Sequence, residues 1–580
     1  MKHRTRFFIY FPTALLVGII LSCVLSSPHR FQNFCDRFFR EEICSNSLTL
    51  HYTLLEPENY GISPETLTLG SYHINIPKQR FRLLLKYFTL HTITRGILSE
   101  EEQLTYDLLA YSLKTELKHL DFYLLEEPLV PSIGIQSQLP VLLAEYTFHE
   151  EADVVNYLSL LTCIPEYFDS LLSLEENRIK HGFFTDNESA SELINYCDQF
   201  LATTDQHYLA QTFEERLSSL SLTPEKHSLY IKENNAALNT YVFPTYQRLK
   251  EFLIKHQNDG TNSNGLFHLP NGRDYYAWLL RSEIGTDRSF EEIEMLLENT
   301  LKKEAAVISA LVKEHPELLD QQSAISLDTS NPAALTTYLS KRITHDFPEI
   351  PEVSTEICSV PASMEAHLSP AFYLVPPIDD SSHNVVYLNN GCLNEGISFF
   401  TTLAHESYPG HLYQTVYENA SSPHPIHRLL YFGGYLEGWA TYAEQLSFHY
   451  APISKNLATL LSCNRSMTLN IYAHLDLYIH AYGWTEKQCA DYLKKFGITG
   501  AASVHEMFLL VKQQPANYLK YYLGYLEICE LRRNAEEALG ENFDSKEFHK
   551  FLLDYGPAPF EILKQYMEEW LHSSIPIHYL

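Results

Sequence analysis

Apolar residues recur at three- and four-residue spacing through most of the chain. The segments Glu101–Leu120, Glu150–Leu174, Ser189–Leu201 and Glu225–Lys255 carry this period most clearly. It predicts amphipathic helices, because a residue returns to the same helix face about every 3.6 positions. No regular succession of strand-like runs interrupts it, which argues against a doubly wound sheet. Two stretches break the pattern. His256–Arg273 is rich in Asn and Gly, and Asp346–Asn390 carries prolines at 348, 351, 361, 370, 376 and 377, so both read as loops. Within the second, Ala371–Val375 and Asn384–Leu388 have the β-branched and aromatic content of short strands. No internal repeat or low-complexity tract is present. The expectation is a mainly α, two-lobed helical protein with a small β-sheet at its cleft. Its 580 residues exceed what one core usually holds. The chain divides into a leader over 1–28, an N-terminal helical region over 29–255 and a catalytic helical region over 256–580.

The leader changes the picture. Lys2, His3, Arg4 and Arg6 precede an apolar run from Phe7 to Leu25, followed by Ser26-Ser27-Pro28. A basic stretch ahead of such a run reads as an export signal. Ile20-Leu21-Ser22-Cys23 loosely resembles a lipobox, and the run is also just long enough for a retained anchor. The expected location is the outer face of the cell membrane, or secretion, with membrane contact only through this segment. The formal charge of −30 excludes nucleic acid as a natural partner, since phosphate binding needs clustered Lys and Arg. Of the ten cysteines none forms a C-x-x-C pair, so a thiolate zinc knuckle has no support; Cys35 and Cys44 are close enough in sequence for a local disulfide.

The strongest chemical signal is FFTTLAHESYPGHLYQ over 399–414. His405-Glu406 on a helix opens the zincin pattern, in which the His binds zinc and the Glu stands by the activated water as general base. The second His normally lies four residues on, but that position is Pro409. His411 comes six residues after His405. On a regular helix that spacing leaves the two side chains roughly 120° apart with a rise of about 9 Å. Pro409-Gly410 is the pair expected to distort the helix and bring His411 back. A carboxylate is available in YLEGWATYAEQL over 435–446, where Glu437 and Glu444 share a face beside an apolar stripe. His405, His411 and Glu437 would make a His₂Glu zinc set with an open fourth position, one ion per chain.

Further candidates lie downstream. Asp476 and His480 are one turn apart and are expected to hydrogen-bond, leaving His480 to stabilise an oxyanion. Tyr518, Tyr521, Tyr522 and Tyr525 crowd one segment, and Tyr522 with Tyr525 on one face could supply a hydroxyl. Other chemistries fail by absence, since the chain has no phosphate-binding G-x-x-x-x-G-K-[ST], no G-x-S-x-G elbow and no G-x-G-x-x-G fingerprint.

HESYPGH at 405–411 followed by EGWATYAE at 437–444 resembles the signature of the bacterial "domain of unknown function 885" family (DUF885). The likeness continues through LPNGRDYYAWLLR (269–281), LDLYIHAYGW (475–484), QQPANYLKYYLGYLEICELR (513–532) and the pattern at Phe548–Pro559. It departs at Tyr478, where a Gly is typical, and after Arg281, where a Leu-Gly ending is missing. The resemblance implies a zincin-like (gluzincin- or oligopeptidase-like) helical fold with His405, His411 and Glu437 as metal ligands and Glu406 as base. The expected function is zinc-dependent hydrolysis of short peptides. The rivals are a catalytically inactive peptide-binding lipoprotein and a metal-dependent hydrolase of other amides or esters.

Overall fold

The computed structural model describes residues 25–574 apart from 64–65, 203–206, 325–326, 361–364, 366–367, 394 and 422; most of the export leader therefore lies outside the described residues. Helices dominate. The first two to matter below are α1 (Ser27–Ile43) and α2 (Ile76–His91). The periodic segments appear as Glu100–His119, Glu151–His181 and Asn187–Ala202. Ser99 and Glu102 close a reciprocal cap on the first of these. The segment expected as one helix over 225–255 is Pro224–Ala237 and Phe243–His256, joined by a π-turn at Leu238–Val242. Pro244 has no amide to continue the ladder, so the hydrogen bonding shifts ahead of it.

The proline-rich loop holds three strands rather than two: β1 (Ser354–Ser359), β2 (Ala371–Leu374) and β3 (His383–Leu388). β3 is central, parallel to β1 with Thr355 opposite Asn384, and antiparallel to β2 with Tyr373 opposite Val386. β1 escapes a hydrophobicity reading because its sequence, STEICS, is polar and only half-buried. β2 is an edge strand.

The C-terminal region follows as α3 (Gly396–Glu406), α4 (His411–Ala420), α5 (Gly433–Ser447), α6 (Lys455–Tyr482) and α7 (Asn517–Leu539). Its core packs Trp439, Tyr435, Tyr522, Phe548 and Leu552, and takes in Leu104, Leu108 and Tyr111 from the N-terminal half. A second core holds Tyr157, Phe168, Phe213 and Tyr246. A third joins α1 to α2 through Phe31, Phe34, Phe39, Leu83 and Leu90. Helices α5 and α7 cross in direct backbone contact: a Cβ on Gly438 would stand 2.4 Å from the Gly524 carbonyl carbon. That crossing holds Glu437 against Tyr521. Cys35 and Cys44 are both free thiols, contrary to the expected local bridge, because Cys35 points into the core and Cys44 is exposed at the helix end.

Candidate metal centre

The distortion expected at Pro409-Gly410 is a complete break. α3 ends at Glu406 and α4 begins at His411, with Ser-Tyr-Pro-Gly turning between them. The Ser407 hydroxyl and amide both donate to Leu403 O, and the Gly410 amide reaches back to Ala404 O at 3.0 Å. Only glycine fits there, since a Cβ on Gly410 would lie 1.7 Å from the His405 carbonyl oxygen. The Trp439 indole of α5 donates to Pro409 O at 2.9 Å and ties the turn to the next helix.

The break brings together the groups that the spacing had separated. His411 Nε2 lies 3.5 Å and His405 Nε2 lies 3.6 Å from Glu437 Oε2. One ligand atom from each of the three residues falls within 4.8 Å of the others. Tetrahedral ligands held about 2.05 Å from zinc stand roughly 3.3 Å apart, close to these two spacings, so the residues fit that ion. The side chains of His405, His411 and Glu437 keep 14%, 20% and 18% exposure, so the cluster is largely enclosed but still reachable from solvent.

Around this set the electrostatics are one-sided. Burial opposes a charge on His405, but Glu437 and Glu444 outweigh it and push its pKa up to about 10. Burial likewise works against the Glu437 carboxylate, yet His405 and His411 hold it well below the usual range. Glu444, one heptad along α5, lies 3.7 Å from His405 Nδ1 and is gripped by the Arg465 guanidinium at 2.6 Å. It orients the imidazole from behind, as carboxylates do for metal-bound histidines. Glu406 turns the other way. Its Oε2 accepts the Tyr373 amide of β2 at 3.0 Å, and burial raises its pKa despite His405 and His411 nearby. The edge strand thus fixes the base candidate beside the cluster.

The remaining candidates fall elsewhere. His480 is fully buried, accepts the Leu266 amide at Nδ1 (3.3 Å) and donates from Nε2 to Val511 O (3.0 Å). Burial pushes its pKa down to about 4, so it stays neutral. It does not bond Asp476. That carboxylate accepts the Tyr276 hydroxyl and the amides of Ala516, Tyr518 and Leu519, capping α7. Tyr522 is fully buried with its hydroxyl on Ser466 and Asn470, and Tyr525 turns toward Cys529, so neither faces the cluster. The tyrosine that does is Tyr521, beside Glu437 and with its ring 6.4 Å from that of His405. Glu444 and Tyr521 lie beside the cluster, whereas the sequence reading put Tyr522 and Tyr525 forward and gave Glu444 no role. The seven-residue spacing from Glu437 was the available signal for Glu444, and Tyr521 differs from Tyr522 only by one step of helix rotation.

Fold and site define a mainly helical protein with a small sheet, in which two histidines and a glutamate converge beside a strand-held glutamate. The chain belongs to the family of bacterial proteins of unknown function DUF885, whose sequence profile matches residues 85–567. No curated protein matches it. Among solved structures, a presumed lipoprotein of Colwellia psychrerythraea shares the fold with a TM-score of 0.83 at 19% identity, over 95% of this chain and 100% of that one. A presumed lipoprotein of unknown function from Shewanella oneidensis follows at 0.64 and 16%, over 93% and 99%.

Proposed function

We propose that this protein is an exported zinc-dependent hydrolase acting on short peptides. The observation that carries the reading is the meeting of His405, His411 and Glu437 beside a glutamate fixed by the edge strand. Two imidazoles and a carboxylate with a position left open is the composition of catalytic rather than structural zinc sites. Zinc held there would supply a Lewis acid for a carbonyl oxygen and an acidified water. Glu406 keeps Oε2 on the Tyr373 amide, which leaves Oε1 free to accept a proton and to return one to the leaving nitrogen. Burial raises its pKa above the ordinary carboxylate value, which suits a group that must both accept and return a proton. Glu444 and Arg465 hold His405 in register, and the Tyr521 hydroxyl, beside Glu437, is the candidate donor to a developing oxyanion. The limited exposure of the ligands favours short peptides over folded proteins. Export is supported by the basic-then-apolar leader and by the description of both solved relatives as presumed lipoproteins. Among the described residues no helix is long and apolar enough to cross a membrane.

The test is zinc analysis of the purified chain together with cleavage of a peptide library by the wild type and Glu406→Gln. About one zinc per chain and turnover lost in the variant support the reading. Zinc-free protein that binds peptides without cleaving them supports the inactive binder instead.

A further inference from the structure

Helix α2 is out of keeping with the rest of the molecule. In a chain of net charge −30, its sixteen residues, IPKQRFRLLLKYFTLH, hold four cations and no acid. Its inner side buries Leu83 and Leu90 in the α1–α2 core. Its outer side is apolar as well: Phe81, Leu85 and Phe88 are 67%, 58% and 61% exposed. Spaced at i, i+4 and i+7, they form one ridge. Arg80 is paired with Asp121, and Lys86 with Glu41 and Glu42, whereas the exposed Lys78 and Arg82 flank the ridge with no acidic partner among the described residues.

The position of α2 says what covers this face. The apolar run Phe7–Leu25 ends two residues before Ser27, the first residue of α1. Ser27 Oγ accepts the Thr94 amide at 3.1 Å, and Arg30 donates to Thr92 O at 3.3 Å, both just beyond the C-terminal end of α2. Wherever the leader enters a bilayer, that end of α2 is brought to its surface. A helix with an apolar ridge edged by free cations has the composition of one that lies flat in an anionic headgroup layer.

We propose that α2 is a second, interfacial membrane contact, with Phe81, Leu85 and Phe88 in the acyl boundary and Lys78 and Arg82 on anionic headgroups. The proposal rests on reading the leader as membrane-attached, and the experiment separates the two. The full chain is mixed with phosphatidylcholine–phosphatidylglycerol vesicles whose acyl chains carry bromine. Flotation reports the leader. Bromine quenching of the indole introduced by Leu85→Trp reports the helix, after subtraction of the wild-type signal from the four native tryptophans. The control is Met295→Trp, at a position 59% exposed on the helix Phe290–Glu314. We expect quenching at 85 at least ~3-fold that at 295, shrinking when phosphatidylglycerol is omitted or when Lys78→Glu and Arg82→Glu are added. A chain that floats with equal quenching at the two positions overturns the proposal and leaves the leader reading standing. A chain that does not float overturns both. An emission change at 85 that follows protein concentration instead of lipid assigns the ridge to a second copy and also overturns it.

Discussion

His405 and His480 both sit on helices of the C-terminal region, both have an acid one to four residues away, and both are enclosed. Their surroundings differ in one respect. His480 spends each ring nitrogen on backbone, the Leu266 amide and the Val511 carbonyl, and its neighbour Asp476 is saturated by four donors. The ring nitrogens of His405 face carboxylates, Glu437 and Glu444, and the nearer is shared with His411. A buried histidine whose hydrogen bonds are all met by backbone holds the fold. One that faces a second histidine and two acids has the partners of a metal ligand, the role proposed for it. The comparison teaches that the partners of an imidazole, and not its burial or an adjacent acid, separate the two roles.

That contrast can be broken by substitution. The largest effect is expected from Glu406→Gln, which should cut peptide turnover by ~10²–10⁴-fold while zinc content stays unchanged, read by steady-state assay and metal analysis. Next, Glu444→Gln should weaken zinc by ~10–100-fold in a chelator competition without removing any direct ligand. On the other side of the comparison, His480→Leu should leave zinc affinity and KM as they are and lower stability by about 1–3 kcal/mol in urea unfolding, since the Leu266 amide loses its acceptor. The smallest effect separates the tyrosines: Tyr521→Phe should lower kcat by ~10-fold, whereas Tyr522→Phe should lower only stability, by about 1 kcal/mol.

A pH titration sharpens the same point. Without metal, His405 holds its proton up to about pH 10 against an ordinary 6.5. Its raised pKa stabilises the metal-free fold fully below pH 6.5, and that contribution is lost as pH rises through about 10. Zinc needs the neutral imidazole and must displace that proton, so its binding tightens with rising pH by up to ~10-fold per unit in this window. The increment in melting temperature from equimolar zinc should therefore grow between pH 6.5 and 10; an increment that shrinks would place the proton elsewhere.

Much of this was legible in the sequence, and the limits have physical causes. Long helices announce themselves by period, and His405-Glu406 with Glu437 stands out because those residue types rarely sit beside an apolar stripe without a partner. The break that delivers His411 was signalled by Pro409-Gly410, but its form depends on Trp439 and on the Gly410 amide reaching Ala404. His480 and Asp476 misled because their true partners, Leu266, Val511, Tyr276 and the start of α7, are remote in the chain. β1 was invisible because only pairing with β3, and not its own hydrophobicity, makes it a strand.

The most direct measurement is anomalous diffraction at the zinc edge from crystals of the zinc-loaded chain. The account predicts one strong peak about 2.1 Å from His405 Nε2, His411 Nε2 and an oxygen of Glu437. A peak bound by other residues, or none at all in protein soaked with stoichiometric zinc, would contradict it.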